Sequence, residues 1–460
     1  MTETPDSQTD RSPGLSVQAV YDGDKHGPPP VLREVSTFDQ GTDDIDRLRY
    51  VSQEWHDLEV ERLWKRVWQM ACREEDIPEV GDSIVYDIAD SSLIIVRSAP
   101  DELRAFHNSC LHRGTTLRVN DGWTPEFRCP FHGFTWSLQG ELTAVPCSWD
   151  FPHVDFADYA LPEAQVNTWN GWVFVNMDLG ALPLADHLGA FVEKFPWDQA
   201  DTVYKRVHVA KVLRCNWKVA LEAFIESHHV VATHPQLLTM TGDANTQYDV
   251  WEDADTWSRM ITLQGVPSPH LPTQLSEQEV MDSMLSQFMG EGVQFPIPEG
   301  ETARGMLAEL TRSQMRPYLG DDADVSDSEA LDSIEYHVFP NFVPWGGFTR
   351  INYRFRPYGN DPHQCVMDVM LLAPVNPSMP RPKPGEVQWL GPDDSWSTTE
   401  GLGALANVFN QDTSNLPRVQ RGLRASVKDG VVLGKYQESR IRHYHAELSR
   451  WISGERGDSQ

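Results

Sequence analysis

Apolar side chains at helical spacing mark the first patterned segment of the chain. Ser52 is a good helix N-cap, and Trp55, Leu58 and Leu63 follow it on one side of a helix. A helix with one apolar side must bury that side against another element. The pattern therefore predicts an N-terminal helix within residues 46–65 that packs on the large C-terminal part of the chain.

From Ser83 onward the pattern changes to short runs of β-branched and aromatic residues, with turn-forming residues between them. Runs of this length and spacing are typical of a small all-β domain, which we place at residues 66–178. The strands predicted within it are 83–88, 92–97, 103–107, 134–138, 141–145 and 172–177.

Residues 179–460 combine strand and helix patterns, which indicates a second domain of the α+β class. The expected arrangement is an antiparallel sheet that wraps a long helix. A long helical insertion around residues 236–332 is also expected, since 277–289 and 302–315 carry apolar residues at helical spacing. The other predicted elements are a helix at 184–195, a strand at 203–213, a helix at 217–231, strands at 333–339, 348–356 and 364–372, and a helix at 426–451.

Composition narrows the class of protein. Residues 1–45 are rich in proline, aspartate, serine and threonine, and they indicate a flexible N-terminal arm. No apolar run approaches the roughly 20 residues needed to cross a bilayer, and the net charge of −30 opposes binding to nucleic acid. The polar, acidic start and the small number of cysteines indicate a cytoplasmic protein without a disulfide framework. Four cysteines are expected to be buried as small apolar residues: Cys72, Cys147, Cys215 and Cys365.

Two short motifs, Cys110-x-His112 and Cys129-x-x-His132, carry the first candidate chemistry. Two thiolates and two imidazoles suit either a tetrahedral zinc site or a [2Fe–2S] cluster with both histidines on one iron. A glycine stands just after each histidine, Gly114 two residues after His112 and Gly133 one residue after His132. At such positions the backbone can approach closely and present N–H groups to sulfide. These flanks favour the cluster, and the segment resembles the Rieske iron–sulfur family.

A second metal site is indicated by Glu226, His229 and His234. Pro235 disfavours helical backbone at the residue before it, so the chain can turn there and bring both imidazoles to one metal. Glu226 can accept a hydrogen bond from the N–H of His229 that does not bind metal. Asp412 is the best candidate for a third ligand. Two histidines and one carboxylate form the facial triad of non-haem Fe(II) oxygenases, with positions left open for O₂.

The stretch Asn216–Glu222, followed by the E-x-x-H-x4-H pattern, resembles the catalytic domain of Rieske non-haem iron aromatic ring-hydroxylating oxygenases, in their large (α) subunit. The resemblance implies a helix-grip (START-like) catalytic domain with an antiparallel sheet, preceded by an all-β Rieske domain. It also implies a homotrimer, either alone as α3 or with a small β subunit as α3β3. In such a ring, His132 of one subunit would contact Glu226 of its neighbour and pass electrons between the two metal centres.

The implied function is that of a terminal oxygenase component. It would receive electrons from NAD(P)H indirectly, through a separate reductase or ferredoxin, and use mononuclear Fe(II) and O₂. The substrate would be a small apolar molecule, aromatic or polycyclic. cis-Dihydroxylation is favoured, and monohydroxylation or demethylation is the alternative. A Rieske electron-transfer protein without oxygenase activity is an alternative of a different class, and it would leave the second histidine motif unused.

Four positions depart from the family pattern. Glu226 stands where aspartate is more common, and His228 stands where an aromatic residue is usual. Ala223 replaces a common asparagine, which predicts a roomier pocket, and Phe134 replaces a tryptophan. We interpret His228 as a solvated or structural residue, with an exchange of ligand roles as the alternative. Asp412 also fits an ordinary turn or N-cap position.

Overall fold

The computed structural model describes most of the chain, in residues 12, 14–290, 293, 295–320 and 324–456. Within these residues, no helix combines the length and the apolar character that crossing a bilayer requires. All six cysteines are free thiols. Three of the four cysteines predicted to be buried are buried, but the prediction is wrong for Cys147. Cys147 is exposed and directly precedes the exposed turn Ser148–Asp150.

The prediction of a flexible N-terminal arm is wrong for residues 14–45, while residues 1–11 and 13 of the predicted arm lie outside the described residues. Val17, Tyr21 and Leu32 are fully buried against the C-terminal domain. Asp24 also forms an ion pair of 2.7 Å with Arg304. A few apolar residues bury their side chains and hold this segment on the domain. The polar residues around them hide this pattern in the sequence.

The predicted N-terminal helix is present as Gln53–Glu59, continued by one wider turn. The Ser52 hydroxyl accepts a hydrogen bond from the backbone N–H of Trp55, as an N-cap does. The buried ring of Trp64 meets Trp217 edge-to-face, with ring centroids 4.9 Å apart, so the helix packs on the C-terminal domain. The elements up to this point are helices Val17–Tyr21, Pro30–Arg33, Leu48–Val51, Gln53–Glu59 and Val60–Trp64, and strand Ile45–Asp46.

The predicted all-β domain is a seven-stranded antiparallel sheet with a second sheet of three short strands. Strand Gln69–Arg73 was not predicted from the sequence. All of its side chains are buried, so polar and apolar positions do not alternate along it. The larger sheet has the order Gln69–Arg73, Trp172–Asn176, Glu163–Trp169, Glu102–His107, Ser91–Ala99, Asp82–Ile88, Gly122–Trp123, and the smaller has Phe127–Arg128, Thr135–Trp136, Leu142–Ala144.

The C-terminal domain is built on an eight-stranded sheet that is antiparallel except for its last pair. The expected helical insertion at 236–332 is wrong in its first part, because residues 241–264 form two core strands of this sheet. Apart from the single 3-10 turn Pro235–Leu237, the described part of the insertion is therefore helical only after residue 265 (residues 291–292, 294 and 321–323 lie outside it). The strand order is Thr241–Asp249, Trp257–Gln264, Ser333–Val338, Phe342–Pro344, Ile351–Pro357, Cys365–Pro374, Val203–Leu213, Val387–Leu390.

The two faces of this sheet have different neighbours. On a central strand, Tyr353 and Phe355 meet the ring of Phe224 on the helical side, with ring centroids 5.2 and 5.5 Å apart. Arg354, between them in sequence, points the other way and donates to the carbonyl of Ala71 in the β domain. Since side chains of a strand alternate between faces, the β domain and the segment that carries Phe224 lie on opposite faces of the sheet.

The helices differ from prediction mainly near the C-terminus. The predicted helix at 426–451 is wrong in its first half, because a turn and the short strand Gly430–Val431 occupy that part and pair with the N-terminal strand. A long helix before it, Leu405–Ala425, was not apparent from the sequence. The helices of this domain are Leu184–Leu188, Phe191–Lys194, Trp217–Glu222, Val230–Thr233, Glu277–Met289, Ala303–Leu319, Asp327–Leu331, Leu405–Ala425 and Ser439–Ser453.

Candidate metal centres and active-site cavity

The two Cys/His motifs lie on a pair of loops that are closed in the same way. In the first loop, the Cys110 N–H donates to the Thr115 carbonyl (2.9 Å), and the Gly114 N–H donates back to the Cys110 carbonyl (2.8 Å). The second loop repeats both bonds around Cys129, at 2.8 and 3.0 Å, with Gly133 in the place of Gly114. Both glycines have a left-handed backbone, with φ of 78° and 77°, a conformation that a side chain would strain.

These loops bring the four predicted cluster ligands together. Cys110 and Cys129 are both buried, and each thiol shifts the pKa of the other. The rings of His112 and His132 lie 4.7 Å apart. The Nδ1 atom of His112 is buried and has no hydrogen-bond partner among the described residues. A buried ring nitrogen without a partner is costly unless it binds a metal, so this set of donors fits a Rieske cluster.

Backbone N–H groups add to the fit. Burial raises the pKa of the Cys110 thiol, and the N–H of His112 opposes that shift. For Cys129, burial also acts to raise the pKa, but the N–H groups of His132 and Phe131 contribute to a net lowering. Cysteine binds iron as the thiolate, and these backbone N–H groups favour the thiolate form.

The predicted helix over 217–231 ends at Glu222, and residues 223–229 form turns. After the helix ends, the Glu226 carboxylate accepts hydrogen bonds from His229 in place of backbone carbonyls. Its Oε2 accepts from the backbone N–H of His229 (3.0 Å), and its Oε1 lies 2.7 Å from the Nδ1 of the same residue. The Glu226 carboxylate contacts the imidazole of His229 as predicted. The two residues meet within a turn, because the helix has ended before them.

His234 and Asp412 complete the site from distant parts of the chain. His234 has a non-helical backbone before Pro235, and its Nε2 lies 2.7 Å from Oδ1 of Asp412. The Nε2 of His229 lies 3.6 Å from the same oxygen. One ligand atom from each of the three residues lies within 4.8 Å of the other two. The predicted triad is therefore assembled, with Asp412 inside helix Leu405–Ala425 and not in a turn.

Both Nδ1 atoms of the histidine pair have an acceptor, which leaves both Nε2 atoms facing the Asp412 oxygen. Glu226 takes this role for His229, and the side-chain oxygen of Gln411 lies 2.9 Å from the Nδ1 of His234. Acceptors of this kind fix the orientation of metal-binding imidazoles. Gln411 was not identified from the sequence, although its position directly before Asp412 could have suggested it. This donor set fits Fe(II).

The electrostatics of the triad favour a cation. Burial lowers the pKa of His229, but the carboxylates of Glu226 and Asp412 raise it to about 9. A histidine held so strongly in its charged form lies in a strongly negative environment. His228, by contrast, is exposed to solvent, as its interpretation as a solvated residue expects.

A cavity of about 360 Å³ adjoins the triad. Ala223, at the position where we predicted extra room, is part of its wall. Met284 reaches it from the helical insertion, and Glu335 reaches it from the middle of the sheet. The remaining wall is mostly apolar and includes Phe224, Val230, Leu237, Met240, Met260, Leu331, Trp345, Ile351, Tyr353, Leu405, Val408 and Phe409.

Sequence reasoning did not identify Glu335, one of 68 acidic residues. It is 1% exposed, and its Oε1 accepts from the Arg440 guanidinium at 2.7 Å. Burial raises the pKa of Glu335 to about 7, although Arg440 acts to lower it. A buried carboxylate in the wall of a mostly apolar cavity is a candidate for substrate recognition.

A Cys/His cage in a β domain and a two-histidine, one-carboxylate site in an α+β domain together define a class of iron proteins with two metal centres. The Rieske [2Fe-2S] domain family matches residues 67–155, and the family described as Ring hydroxylating alpha subunit (catalytic domain) matches residues 197–454. The second match spans more than half of the chain. The chain therefore belongs to the ring-hydroxylating alpha subunits of the Rieske non-haem iron oxygenases, which use a [2Fe–2S] cluster, mononuclear iron and O₂.

Curated relatives include dioxygenases and monooxygenases. The biphenyl 2,3-dioxygenase subunit alpha of Rhodococcus jostii is 29% identical over 205 residues, which cover 43% of this chain and 45% of that protein. The glycine betaine monooxygenase oxygenase subunit of Pseudomonas aeruginosa is 29% identical over 196 residues, which cover 41% and 44%. The chain thus spans about half the length of the curated relatives it matches.

A solved structure extends the likeness to nearly the whole chain. The quaternary ammonium Rieske monooxygenase CntA, in complex with an inhibitor, matches with a TM-score of 0.63 over 91% of this chain and 100% of that chain. The sequence identity is 16%, so the likeness concerns the fold. The predicted fold class, an all-β Rieske domain followed by an α+β domain with an antiparallel sheet, is confirmed.

Proposed function

We propose that the chain is the terminal oxygenase component of a hydroxylating system. It receives electrons from NAD(P)H through a separate reductase or ferredoxin and hydroxylates an apolar aromatic or polycyclic substrate with O₂. cis-Dihydroxylation is the favoured reaction. The observation that supports this most directly is the position of His229, His234 and Asp412 in the wall of a mostly apolar cavity of about 360 Å³.

Each residue of the site has a separate task. His229, His234 and Asp412 would hold Fe(II), which when bound supplies the activation of O₂ that closed-shell organic substrates need. Glu226 fixes the ring of His229 through its Nδ1, and Gln411 does the same for His234. The apolar wall keeps water away from the reacting carbon and orients the substrate.

Cys110, His112, Cys129 and His132 would hold the [2Fe–2S] cluster, which when bound passes on electrons from the reductase or ferredoxin. His132 is exposed, whereas the other three are buried or half-buried. An exposed ligand can be reached by a second subunit, and we propose that it contacts Glu226 of the neighbouring chain. This arrangement requires a ring, for which we propose a homotrimer, with or without a small β subunit, working in the cytoplasm.

Isotope analysis of the product tests the proposal. The chain, loaded with both metal centres, is incubated with a surrogate reductase, NADH, ¹⁸O₂ and a panel of aromatic and polycyclic substrates. We expect a hydroxylated product that carries ¹⁸O, with two labelled atoms for cis-dihydroxylation and one for monohydroxylation. A protein with all metal sites filled that consumes no O₂ with any substrate would contradict the proposal.

Iron content separates the oxygenase from the electron-transfer alternative. An oxygenase of this kind binds three irons per chain, two in the cluster and one at the triad, whereas a carrier binds two. A variant of Asp412 should lose only the third iron. If the intact chain holds two irons after anaerobic loading with excess ferrous salt, the carrier interpretation is correct.

A further inference from the structure

The cavity contains one carboxylate that the proposed oxygenase chemistry does not use. Three acidic residues are among its described lining residues, namely Glu226, Glu335 and Asp412, and no lysine or arginine is. Glu226 and Asp412 are engaged with the two histidines. Glu335 is therefore the one of these three carboxylates that does not contact the histidine pair.

The carboxylate of Glu335 faces the cavity, whereas its ion-pair partner Arg440 does not. Arg440 donates to Glu335 Oε1, and it is also held by the Ile225 carbonyl (3.1 Å) and the Ser258 hydroxyl (3.1 Å). Arg440 is fully buried and is not part of the described cavity wall. No hydrogen bond from the described residues reaches Oε2 of Glu335, so half of the carboxylate is free for a ligand.

Aromatic rings surround the same space. Phe224, Trp345, Tyr353 and Phe409 all line the cavity. Their rings are in contact around Tyr353, with centroid distances of 5.2 Å to Phe224, 5.9 Å to Trp345 and 6.1 Å to Phe409. On the sheet, Trp345 is the bridge partner of Glu335. The faces of aromatic rings attract cations, and several rings beside a carboxylate are a common way to bind an ammonium group.

We propose that the substrate carries a cationic nitrogen, either a protonated or a quaternary amine, on an apolar body, and that Glu335 and this aromatic wall bind the nitrogen. The proposal rests on the proposed function, because it concerns the substrate of the same cavity. Burial raises the pKa of Glu335 to about 7 although Arg440 acts to lower it, so the pairing with Arg440 does not fully offset the desolvation of the charged form. A bound cation beside Oε2 would stabilise the charged form further, while an uncharged hydrocarbon would leave that oxygen desolvated and without a partner.

A purely structural role for Glu335 makes a different prediction. If the residue only pairs with Arg440, its replacement by glutamine changes the stability of the fold and leaves the choice of ligand unchanged. If it binds a cation, Glu335→Gln changes the choice of ligand. Glutamine has the same size and still offers Arg440 an oxygen acceptor, so it is the conservative test.

The experiment uses two probes of the same shape and different charge, phenyltrimethylammonium and tert-butylbenzene. Their dissociation constants are measured by calorimetry on the iron-loaded chain. We expect the wild type to bind the ammonium compound at least about tenfold more tightly. In Glu335→Gln this preference should be lost through weaker ammonium binding, with tert-butylbenzene changed by less than about twofold. Glu309→Gln, an exposed acid on helix Ala303–Leu319, is the matched control and should keep the preference.

Trp345→Leu provides a second variant in case Glu335→Gln does not fold, and it should also weaken ammonium binding more than hydrocarbon binding. Circular dichroism and iron content establish that each variant is intact. Equal affinity of the wild type for the two probes overturns the proposal. So does an unchanged preference in a folded Glu335→Gln protein.

Binding and turnover are measured separately, so the two proposals can fail independently. An enzyme that binds the ammonium probe through Glu335 and hydroxylates nothing would refute the oxygenase and keep the cation site. An enzyme that hydroxylates neutral aromatics and does not bind the ammonium probe would keep the oxygenase and refute the cation site.

Discussion

The carboxylate of Glu226 holds His229 at two points, the ring Nδ1 at 2.7 Å and the backbone N–H at 3.0 Å. One side chain therefore sets both the turn that carries the histidine and the direction of its ring. Glutamate has one more methylene group than the aspartate common at this position. The longer side chain still reaches both groups, so the substitution preserves the contact.

Glu226→Gln should leave both metal centres occupied and nearly abolish coupled turnover. The amide keeps one oxygen acceptor but removes the charge that favours a basic, correctly oriented imidazole, and it removes the proposed bridge to His132 of the next subunit. The measurements are iron content and product formed per NADH consumed. Glu193→Gln, an exposed acid, serves as the control. Full coupled activity in Glu226→Gln would refute the bridge.

Asp412→Ala should remove the mononuclear iron and spare the cluster. The carboxylate is 6% exposed and faces both Nε2 atoms, so its loss leaves two ligands where three are needed. Iron analysis should fall from three to two atoms per chain, while the visible and electron paramagnetic resonance spectra of the cluster stay the same. Retention of the third iron would exclude Asp412 as a ligand.

Cys129→Ala should have the opposite effect. The thiol is buried in one of the two matched loops, and a cluster that loses a thiolate ligand is not retained. We expect the cluster spectrum to disappear and one iron per chain to remain at the triad. A variant that keeps the cluster spectrum would show that another residue is the ligand. Replacing the exposed Cys147 with alanine should leave the spectrum unchanged.

Lys218→Met should destabilise the fold strongly. Lys218 and Glu59 are both fully buried and their ion pair is 2.5 Å long, which joins the N-terminal helix to helix Trp217–Glu222. Removing one partner of a buried pair leaves an uncompensated charge and costs about 3–5 kcal/mol. The thermal midpoint should fall clearly, and adding Glu59→Gln should recover part of the loss. Lys65→Met, at an exposed ion pair with Glu61, should have little effect.

The buried carboxyl group of Asp368 should make the stability of the fold depend on pH. Burial acts to raise the pKa of its carboxyl group, but Arg354, Arg356 and His208 hold it well below its usual value. A group with a lowered pKa in the folded state adds stability above its unfolded pKa, about 3.9, and loses it as the pH falls toward the folded pKa. The difference in thermal midpoint between wild type and Asp368→Asn should be constant from about pH 5 to 8 and shrink below about pH 4.

The corresponding control is Asp253→Asn, at an exposed acid. It should leave the pH profile of the thermal midpoint as it is in the wild type. A difference between wild type and Asp368→Asn that persists unchanged down to about pH 3 would contradict the lowered pKa.

The cluster ligands could be predicted because they are local. Each motif sits in one short loop, and the glycines after the histidines set the backbone that the loop needs. The pair His229 and His234 was found for the same reason. Spacing within a few residues is visible in a sequence, and the chain need not be folded to reveal it.

Elements that depend on distant contacts were not predicted. Helix Leu405–Ala425 contains Asn410, Thr413 and Pro417, which are poor helix formers, and its buried side, which includes Phe409, stabilises it through packing. The helix predicted at 217–231 is too long for the opposite reason, because distant contacts end it early. Beyond Glu222 the backbone bonds to side chains of other elements, such as the hydroxyl of Tyr248, and these contacts outweigh local helix propensity.

His234 and Asp412 come together across 178 residues of sequence, more than a third of the chain. An ion shared between them would therefore be a reversible cross-link that closes a very large loop, and such a link restricts the unfolded chain more than a short one does. Because its ligands come from distant segments, they would hold iron together only in the folded domain. Removal of iron should therefore loosen the helix that carries Asp412.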